Sequence, residues 1–343
     1  MKNCWQTIKR PIKVLAPMAG YTDSAFRALC RQFGADIVIT ELVSADAIYF
    51  QAKDWFREEG TLLSGETSPK PVWRSKKGYD PTLELINFLP EERPLIVQLF
   101  GKNPDHFVFA ARWLSENMKP DGIDINMGCP ARKVVASDHG AALLKDPKLA
   151  KEIVRQVVEG AGGTPVSVKT RLGWENDTEI LEFAPLLAQA GISAIIIHGR
   201  TYKDGFKGLA RWERIYDVKE LLPELVVIGN GDIKSHAEIV ARANPQILTP
   251  KYHLDGVAIG RAAFGKPYIF SKDAVRVDEL LEIMRVHVDL VLKTKGERGI
   301  IELRKHLAAY SKGFSGAKEL RRLAVSVKSE SDVANLIQSM SRP

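Results

Sequence analysis

Short runs of β-branched and other apolar residues recur eight times along this chain, with amphipathic stretches between them. Such nearly continuous apolar runs are typical of strands that are buried on both faces of a sheet. Eight alternations of strand and helix predict an α/β fold, a closed TIM (β/α)₈ barrel. An open doubly wound sheet would need a glycine-rich dinucleotide fingerprint after its first strand, and the segment Leu15–Asp23 is not one. The predicted strands lie near Val14, Ile37, Ile96, Ile123, Val166, Ile195, Val226 and Val257.

The pattern changes after Phe270, where no further strand is predicted. Apolar residues then recur at spacings of three and four, as in amphipathic helices, over residues 277–293, 300–312 and 317–325. Glycines are expected to stop these helices at Gly296, Gly299, Gly313 and Gly316. The sequence therefore predicts a barrel domain over residues 1–270 and a small C-terminal α-helical bundle over residues 271–343.

Positive charge is concentrated in the predicted helical bundle. The chain has a formal net charge of +7, and the segment from Lys293 to Lys328 holds ten Lys and Arg residues against three Glu residues, an excess equal to that of the whole chain. Localised positive charge indicates a polyanionic partner such as a nucleic acid. A solvated helix face is the alternative interpretation.

Several protein classes are disfavoured by composition. No run of 18 or more apolar residues is present, so no transmembrane helix is expected. The basic first residues are not followed by an apolar run, which is unlike a secretory signal. The three cysteines, Cys4, Cys30 and Cys129, are too few and too scattered for a disulfide framework or a zinc site. We therefore expect a cytoplasmic protein without a bound metal.

Each predicted strand ends in polar or glycine residues that core packing does not require. In a barrel all strand carboxyl ends open onto one face, and that face carries the active site. Four consecutive strands, the third to the sixth, end in Gln98, Asn126, Lys169 and His198. A turn residue, a core histidine or a structural ion pair could explain any one of them. Together they predict a shared polar site.

The seventh and eighth predicted strands end in Asn230–Asp232 and Gly260–Arg261. Barrels commonly bind phosphate at these two loops, because glycine lets backbone N–H groups approach phosphate oxygens and arginine adds a forked contact. The pair of loops favours a phosphorylated cofactor. Donors such as Gln98, Lys169 and His198 match the pyrimidine edge of a flavin, where negative charge gathers on reduction.

Cys129 directly follows the fourth predicted strand, so we expect it on a loop above the cavity. A cysteine there could be a nucleophile, a general acid or a small buried residue. Arg132 and Lys133 follow closely, and nearby positive charge makes a thiol proton easier to donate. Cys30 lies in a predicted helix and is expected to be a packing residue without a catalytic role.

An ordered series of motifs resembles the tRNA-dihydrouridine synthases, and it spans nearly the whole predicted barrel. The segment Asp124–Val135, which holds Asn-Met-Gly-Cys-Pro and a later Lys-Val, is the most discriminating. The tail Arg304–Arg322 resembles the helical RNA-binding domain of the bacterial branch. The other matching segments are Ala16–Arg27, the Gln-Leu-Phe-Gly at Gln98, Gly140–Pro147, Val168–Trp174, Ile197–Thr201, Gly229–Ile233 and Ile259–Phe270.

The resemblance implies an FMN enzyme that reduces the C5–C6 double bond of a uridine in the tRNA D-loop. NADPH would reduce FMN, hydride would pass from flavin N5 to C6, and Cys129 would protonate C5. The implied flavin-binding residues are Pro17, Met18, Ala19, Gln98, Lys169, His198, Asn230, Gly231, Asp232, Gly260 and Arg261. The implied tRNA-binding residues are Asn126, which would orient the base, and Arg132, Lys133, Arg304, Lys305, Arg321 and Arg322.

Two alternatives stay open at this point. The chain could be an FMN-dependent barrel oxidoreductase that acts on a small molecule, similar to a dihydroorotate dehydrogenase, or a non-catalytic RNA-binding barrel. Two segments depart from the family pattern: residues 136–139, where the family is richer in glycine and lysine, and the long irregular stretch 51–80, which could contact RNA or pack on the surface. A monomer is expected.

Overall fold

Eight parallel strands form a closed barrel in chain order, as the apolar runs predicted. The computed structural model describes residues 3–52, 81–244 and 253–341. Each strand pairs with its neighbours in sequence, and β1 pairs with β8 to close the sheet. The strands are β1 Ile12–Leu15, β2 Ile37–Ser44, β3 Leu95–Phe100, β4 Gly122–Met127, β5 Val166–Arg171, β6 Ala194–His198, β7 Val226–Asn230 and β8 Gly256–Ile259.

Closure depends on a close approach between β8 and β1. Ile12 pairs with Gly256, and a Cβ atom at Gly256 would lie only 2.1 Å from the carbonyl oxygen of Ile12. No side chain fits in that space, so glycine is required where the first and last strands meet. Every residue of β4, β6, β7 and β8 is buried. This burial explains why their sequences are nearly continuous in apolar residues.

Amphipathic helices surround the barrel, and side-chain caps start several of them. Asp23, Asn103, Asp146 and Ser235 each accept a hydrogen bond from a backbone N–H in the first turn of the helix that follows. The helices are α1 Cys4–Thr7, α2 Ser24–Gln32, α3 Ala45–Ala52, α4 Pro81–Ile86, α5 Pro104–Trp113, α6 Arg132–Val135, α7 Pro147–Gly160, α8 Glu179–Gln189, α9 Glu213–Leu221 and α10 His236–Ala243.

Four helices follow the barrel, and no strand is present among the described residues after Ile259. The prediction that Gly299 stops a helix is wrong, because Gly299 lies in the first turn of α12. A Cβ atom there would lie 2.5 Å from Cγ1 of Val291, so this glycine permits close helix packing instead. The helices are α11 Val277–Lys295, α12 Arg298–Tyr310, α13 Ala317–Ser326 and α14 Glu330–Met340. The sequence patterns had indicated the first three of these.

The tail helices pack directly onto the barrel. One continuous apolar cluster contains Leu29 and Val38 of the barrel together with Leu307 and Ile337 of the tail. Lys295 donates to Asp23 at 3.0 Å, and both side chains are 9% exposed. Because the two parts share a core, they are not separate in packing. The division at residue 270 into a catalytic part and a tRNA-binding part stays a prediction.

About half of the cations in the basic segment are engaged within the protein. Lys293 pairs with Glu91, Lys295 with Asp23 and Glu302, and Arg298 with Glu84. Arg304 donates to the carbonyl of Val327, and Arg322 pairs with Glu319. The net charge of this segment therefore overstates the number of cations that are available to a partner.

The structure describes all three cysteines and the first two residues of the stretch 51–80. Cys30 is fully buried in α2, and burial raises the pKa of its thiol well above the usual range, which fits a packing residue. All three cysteines are free. Of the stretch 51–80, residues 51–52 end α3 and the rest lies outside the described residues.

Within residues 3–52, 81–244 and 253–341, no helix is long and apolar enough to cross a membrane. The same residues contain no cluster of three or more His, Cys, Asp or Glu side chains that could bind a metal ion.

Two buried histidines at the junction of barrel and tail should make stability depend on pH. Burial lowers the pKa of His287 to about 4, and that of His306 falls well below its usual value for the same reason. The unfolded chain binds these protons below about pH 6.5, whereas the folded chain binds that of His287 only near pH 4, so stability is lost as pH falls through this range. His287 alone should remove about 2 kcal/mol of unfolding free energy between pH 7 and pH 5.

Denaturant unfolding of His287→Gln at the two pH values measures this contribution. The variant should lose about 2 kcal/mol less than the wild type between pH 7 and pH 5. His253, which is exposed, supplies the control, and His253→Gln should keep the wild-type pH dependence. An unchanged pH dependence in His287→Gln would contradict the assignment.

Candidate active site

A cavity of about 510 Å³ opens at the carboxyl ends of the strands. Residues from β1, β4, β5, β6, β7 and β8, or from the loops that follow them, line it. This is the face where barrels place their reactive groups, and its volume lies in the usual range for ligand sites. The predicted residues that line it are Pro17, Met18, Ala19, Asn126, Cys129, Lys169, His198, Asn230, Gly231, Asp232, Gly260 and Arg261.

Lys169 and Arg171 lie two residues apart on β5, so both side chains reach the same side of the sheet. Burial, followed by the charge of Arg171, lowers the pKa of Lys169 to about 8. The ammonium group of Lys169 lies 3.4 Å from Oδ1 of Asn230. Lys169 is therefore a half-buried cation with only a weak hydrogen-bond partner among the described residues.

Arg171 was not predicted from the sequence, yet it lines the cavity. Its guanidinium donates to three carbonyl oxygens, those of Gly128, Thr201 and Gly205, at 2.8 to 2.9 Å. These bonds tie the loop that holds Cys129 to the loop after β6. No carboxylate neutralises Arg171 among these contacts, and burial lowers its pKa to about 10.

His198 is held in the neutral form. Burial, and then the charges of the cations Lys169, Arg171, Arg200 and Arg261 in that order of effect, lower its pKa to about 2. Its Nδ1 atom is buried without a hydrogen-bond partner among the described residues. A neutral imidazole can donate from one nitrogen and accept at the other, which suits contact with a polar ligand.

The loop after β7 approaches the cavity with its backbone. Gly231 has φ of +128°, and a Cβ atom there would lie 2.8 Å from Cβ of Ala210, so the position requires glycine. Gly260 and Arg261 directly follow β8, the strand next to β7 in the barrel. These glycines leave room for a ligand to approach the backbone.

The carboxylate of Asp232 is engaged by protein groups. It accepts from Nη2 of Arg200 at 2.8 Å and from the backbone N–H of Ala210 at 2.7 Å. Arg200 is 3% exposed and also donates to the carbonyls of Lys207 and Gly208. The Arg200–Asp232 pair therefore holds the loop after β6 against the loop after β7. The predicted contact of Asp232 with a cofactor stays a prediction.

Phe206 lies on the loop after β6 and lines the cavity while remaining 57% exposed. The guanidinium carbon of Arg261 lies 4.6 Å from the centre of its ring, and that of Arg171 lies 5.6 Å away. Both distances allow a cation–π interaction. An exposed aromatic ring at a cavity mouth is a surface on which a planar ligand can stack. Phe206 was not predicted from the sequence.

Cys129 follows β4 and is partly buried, with its backbone fixed by Asn126. Oδ1 of Asn126 accepts from the N–H of Cys129 at 2.9 Å and from that of Gly128 at 3.2 Å. The Nδ2 group of Asn126 donates to Gln98 at 2.9 Å. Gln98 is fully buried beneath Asn126 and is not among the described residues that line the cavity. Its predicted contact with a flavin stays a prediction.

The predicted RNA-contacting cations are placed differently from one another. Arg132 and Lys133 are exposed at the start of α6, close to Cys129 in sequence. In the tail, Arg321 is exposed, Arg322 pairs with Glu319, and Arg304 is bonded to Val327. The ammonium of Lys305 lies 5.5 Å from the centre of the Tyr21 ring.

The cavity is electropositive, and its donor set fits an anionic cofactor. Lys169, Arg171 and Arg261 are not neutralised by a carboxylate within salt-bridge distance among the described residues. Negative charge inside the cavity would relieve their mutual repulsion. A ligand with a phosphate and a ring that accepts hydrogen bonds matches these cations, the glycines of the β7 and β8 loops and the unpartnered nitrogen of His198.

A (β/α)₈-barrel enzyme, with its chemistry at the mouth of the barrel, is the class that the fold and this cavity define. The profile of the dihydrouridine synthase (Dus) family matches residues 14–342. The chain therefore belongs to the dihydrouridine synthase family. It is an oxidoreductase that acts on a CH–CH bond, since dihydrouridine is uridine with that bond reduced.

Curated relatives cover most of the chain. A probable tRNA-dihydrouridine synthase of Aquifex aeolicus is 34% identical over 336 residues, which are 95% of this chain and 94% of the relative. Probable tRNA-dihydrouridine synthase 1 of Synechocystis sp. is 33% identical, over 94% of this chain and 84% of the relative. tRNA-dihydrouridine synthase B of Pseudomonas syringae pv. tomato is 34% identical, over 90% and 85%.

Removal of the Asp232 charge should destabilise the protein. Asp232→Asn leaves the buried guanidinium of Arg200 without its counter-ion. Because Asp232 itself is partly exposed, we expect the loss to lie at the lower end of the range for buried pairs, about 2–3 kcal/mol. The free energy of unfolding in denaturant measures this. The exposed pair Lys203–Glu175 gives a control, and Glu175→Gln should cost less than about 1 kcal/mol. Equal losses in both variants would contradict a structural role for the buried pair.

Proposed function

We propose that this protein reduces uridine in tRNA to dihydrouridine, with FMN bound in the cavity and NADPH as its reductant. Membership of the family supports the reaction, and the names of the relatives support tRNA as substrate. The observation that carries the proposal is the placement of Cys129, a partly buried thiol at the mouth of an electropositive cavity. A D-loop uridine is the proposed target.

The cofactor would be held by residues from the neighbouring strands β5 and β6 and from the loops after β7 and β8. Gly231, Gly260 and Arg261 would bind the phosphate, because they combine open backbone with a cation that has no ion-pair partner among the described residues. Lys169 and His198 would bond the pyrimidine edge and ribityl region. Reduced FMN supplies hydride to C6 of the uracil ring when it is bound. The pKa of Lys169, about 8, keeps its ammonium group protonated at neutral pH, where it can stabilise negative charge.

Cys129 would act as the general acid. The C5–C6 bond of uracil is conjugated with the C4 carbonyl, so reduction at C6 moves negative charge towards C5 and O4. The thiol proton of Cys129 is donated at C5, which completes the saturated bond. A positioned acid of this kind contributes roughly 10²–10⁴-fold to the rate. Asn126 holds the Cys129 backbone and has a second Nδ2 hydrogen that could contact the base.

The RNA would approach over the mouth of the barrel. A uracil can reach a partly buried thiol only if it leaves its stack, at a cost on the order of a few kcal/mol. Exposed cations at Arg132, Lys133 and Arg321 would offset this cost by binding phosphates. The helical tail, residues 271–343, is the proposed tRNA-binding part of the chain. Among its predicted contacts, Arg321 and Lys305 fit this role better than Arg304, which is bonded internally.

Substitution of Cys129 tests the chemistry. Cys129→Ala should keep bound flavin and its reduction by NADPH, while dihydrouridine formation falls at least about 100-fold. Mass spectrometry of nucleosides from treated tRNA detects the gain of two hydrogens on uridine. Cys4→Ala, which alters a buried thiol distant in sequence, is the matched control and should retain activity. NADPH oxidation without any modified uridine in the wild type would favour a small-molecule oxidoreductase instead.

Substitution of Arg321 tests the RNA surface. Arg321→Glu should weaken tRNA binding and reduce the slope of log affinity against log salt by about 1, as expected for one lost phosphate contact. Lys148→Glu, on the exposed face of α7, makes the same change in net charge. Filter binding at several salt concentrations compares the two variants. The tail would lose its assigned role if both variants bound tRNA equally well.

A further inference from the structure

Asp124 lies in the middle of β4 with its side chain completely buried, and no step of the proposed reaction uses it. Its carboxylate accepts from Nε2 of Gln98 and from Oγ of Ser167, each at 2.6 Å. Taking a carboxylate out of water is costly unless hydrogen bonds compensate. A neutral side chain of the same size would cost less, so the charge at Asp124 needs an explanation.

The hydrogen bonds of Asp124 continue to the cysteine loop through two side-chain amides. Gln98 donates to Asp124 and accepts from Nδ2 of Asn126 at 2.9 Å. Asn126 in turn accepts from the backbone N–H groups of Gly128 and Cys129. We call this series, Asp124–Gln98–Asn126–Cys129, the amide relay. Each amide in it turns its NH₂ group towards Asp124 and its oxygen towards Cys129.

The direction of the amide relay follows from its two ends. An ionised carboxylate can only accept hydrogen bonds, and a backbone N–H can only donate. The two halves of a side-chain amide have nearly the same shape, so packing does not select its orientation and hydrogen bonds must. An acceptor at one end and donors at the other therefore select the same orientation for Gln98 and Asn126. Bonds to an ionised acceptor are also stronger than bonds to a neutral one.

We propose that Asp124 is a positioning residue, whose ionised carboxylate orients Gln98 and Asn126 and thereby fixes the backbone of Cys129. The inference rests on the proposed function only for its effect on turnover, since the geometry of the loop can be measured without it. Gln98, predicted as a flavin contact, acts here through Asn126. Asn126 retains one Nδ2 hydrogen for a substrate while the loop is held.

The charge on Asp124 is set by groups on both neighbouring strands. Burial raises its pKa to about 6, while the bonds from Ser167 and Gln98 and the charge of Lys169 act in the opposite direction. Lys169, on β5, is the charged group that faces it; its β3 neighbour in the relay, Gln98, does not titrate. The carboxylate is thus ionised at pH 8 and protonated at pH 5. We expect the relay to weaken on acidification through this range.

Thiol reactivity reports the position of Cys129 without turnover. Cys4 and Cys30 are buried, so the reaction of the holoenzyme with 4,4′-dithiodipyridine should measure Cys129, with Cys129→Ala giving the background. Asp124→Asn keeps the shape and removes the charge. At pH 8 it should change the rate about 5-fold, the difference between a charge-assisted and a neutral hydrogen bond. At pH 5 the ratio of variant to wild type should approach 1.

A double variant separates positioning from simple packing. In Asp124→Asn/Gln98→Glu the charge moves one residue along the relay, and the new carboxylate accepts directly from Asn126. The rate at pH 8 should return to within about 2-fold of the wild type, because the acceptor for Asn126 is again charged. Asp121→Asn, a carboxylate just before β4 that bonds Leu95 outside the relay, is the matched control and should leave the rate unchanged.

The outcomes distinguish the relay from the proposed function. An Asp124→Asn rate equal to wild type at pH 8, or a double variant no closer to wild type than the single, overturns the positioning role. With tRNA, Asp124→Asn should lower kcat for dihydrouridine formation about 5-fold, with KM for tRNA and flavin reduction by NADPH unchanged. If the thiol rates follow the relay but the wild type forms no dihydrouridine, the positioning role stands and the proposed function fails.

Discussion

The backbone pairing of β1 with β8 closes the sheet, and every group at the mouth depends on that closure. It requires Gly256, because the strands approach too closely at Ile12 for a side chain. Once the barrel is closed, eight strand ends converge on one opening, and residues that are far apart in sequence share a cavity. Lys169 and Arg261, nearly a hundred positions apart, meet in this way.

Closure also concentrates like charges, and the protein manages them through uncharged acceptors. Arg171 is bonded to three carbonyl oxygens, so its hydrogen-bonding capacity is used while its charge remains. Lys169 has a lowered pKa and a long hydrogen bond of 3.4 Å to Oδ1 of Asn230. His198 stays neutral beside these two cations. Of the cations around His198, only Arg200 pairs with a carboxylate in the described part of the chain, that of Asp232, and this pair holds two loops together. The result is a positive electrostatic potential that favours an anion in the cavity. The folding free energy of the barrel offsets the repulsion between these cations.

The sequence predicted the eight strands, the helical tail and most of the cavity, because strand periodicity and strand ends are local properties. Whether a side chain near a strand end reaches the cavity is not a local property. Gln98, two residues before the end of β3, is fully buried and is not among the described residues that line the cavity, whereas Lys169, two residues before the end of β5, lines it. Arg171 could have been found, since it lies two residues after Lys169 on one strand. The sequence could not show which tail cations are free to bind a partner. Lys293 and Lys295 pair with Glu91 and Asp23 of the barrel, which are about 200 or more positions away in the sequence.

The shared core of barrel and tail has a consequence for how a tRNA bound as proposed would present a base to the cavity. Two parts joined by a flexible linker would sample many separations, and either could bind while the other searched. Here Leu307 and Ile337 of the tail belong to the same apolar cluster as Val38 of the barrel. The backbone positions of Arg321 and Cys129 are therefore held at a fixed separation. An RNA bound by the tail would place at the thiol only a nucleotide that lies at this separation from the bound phosphate.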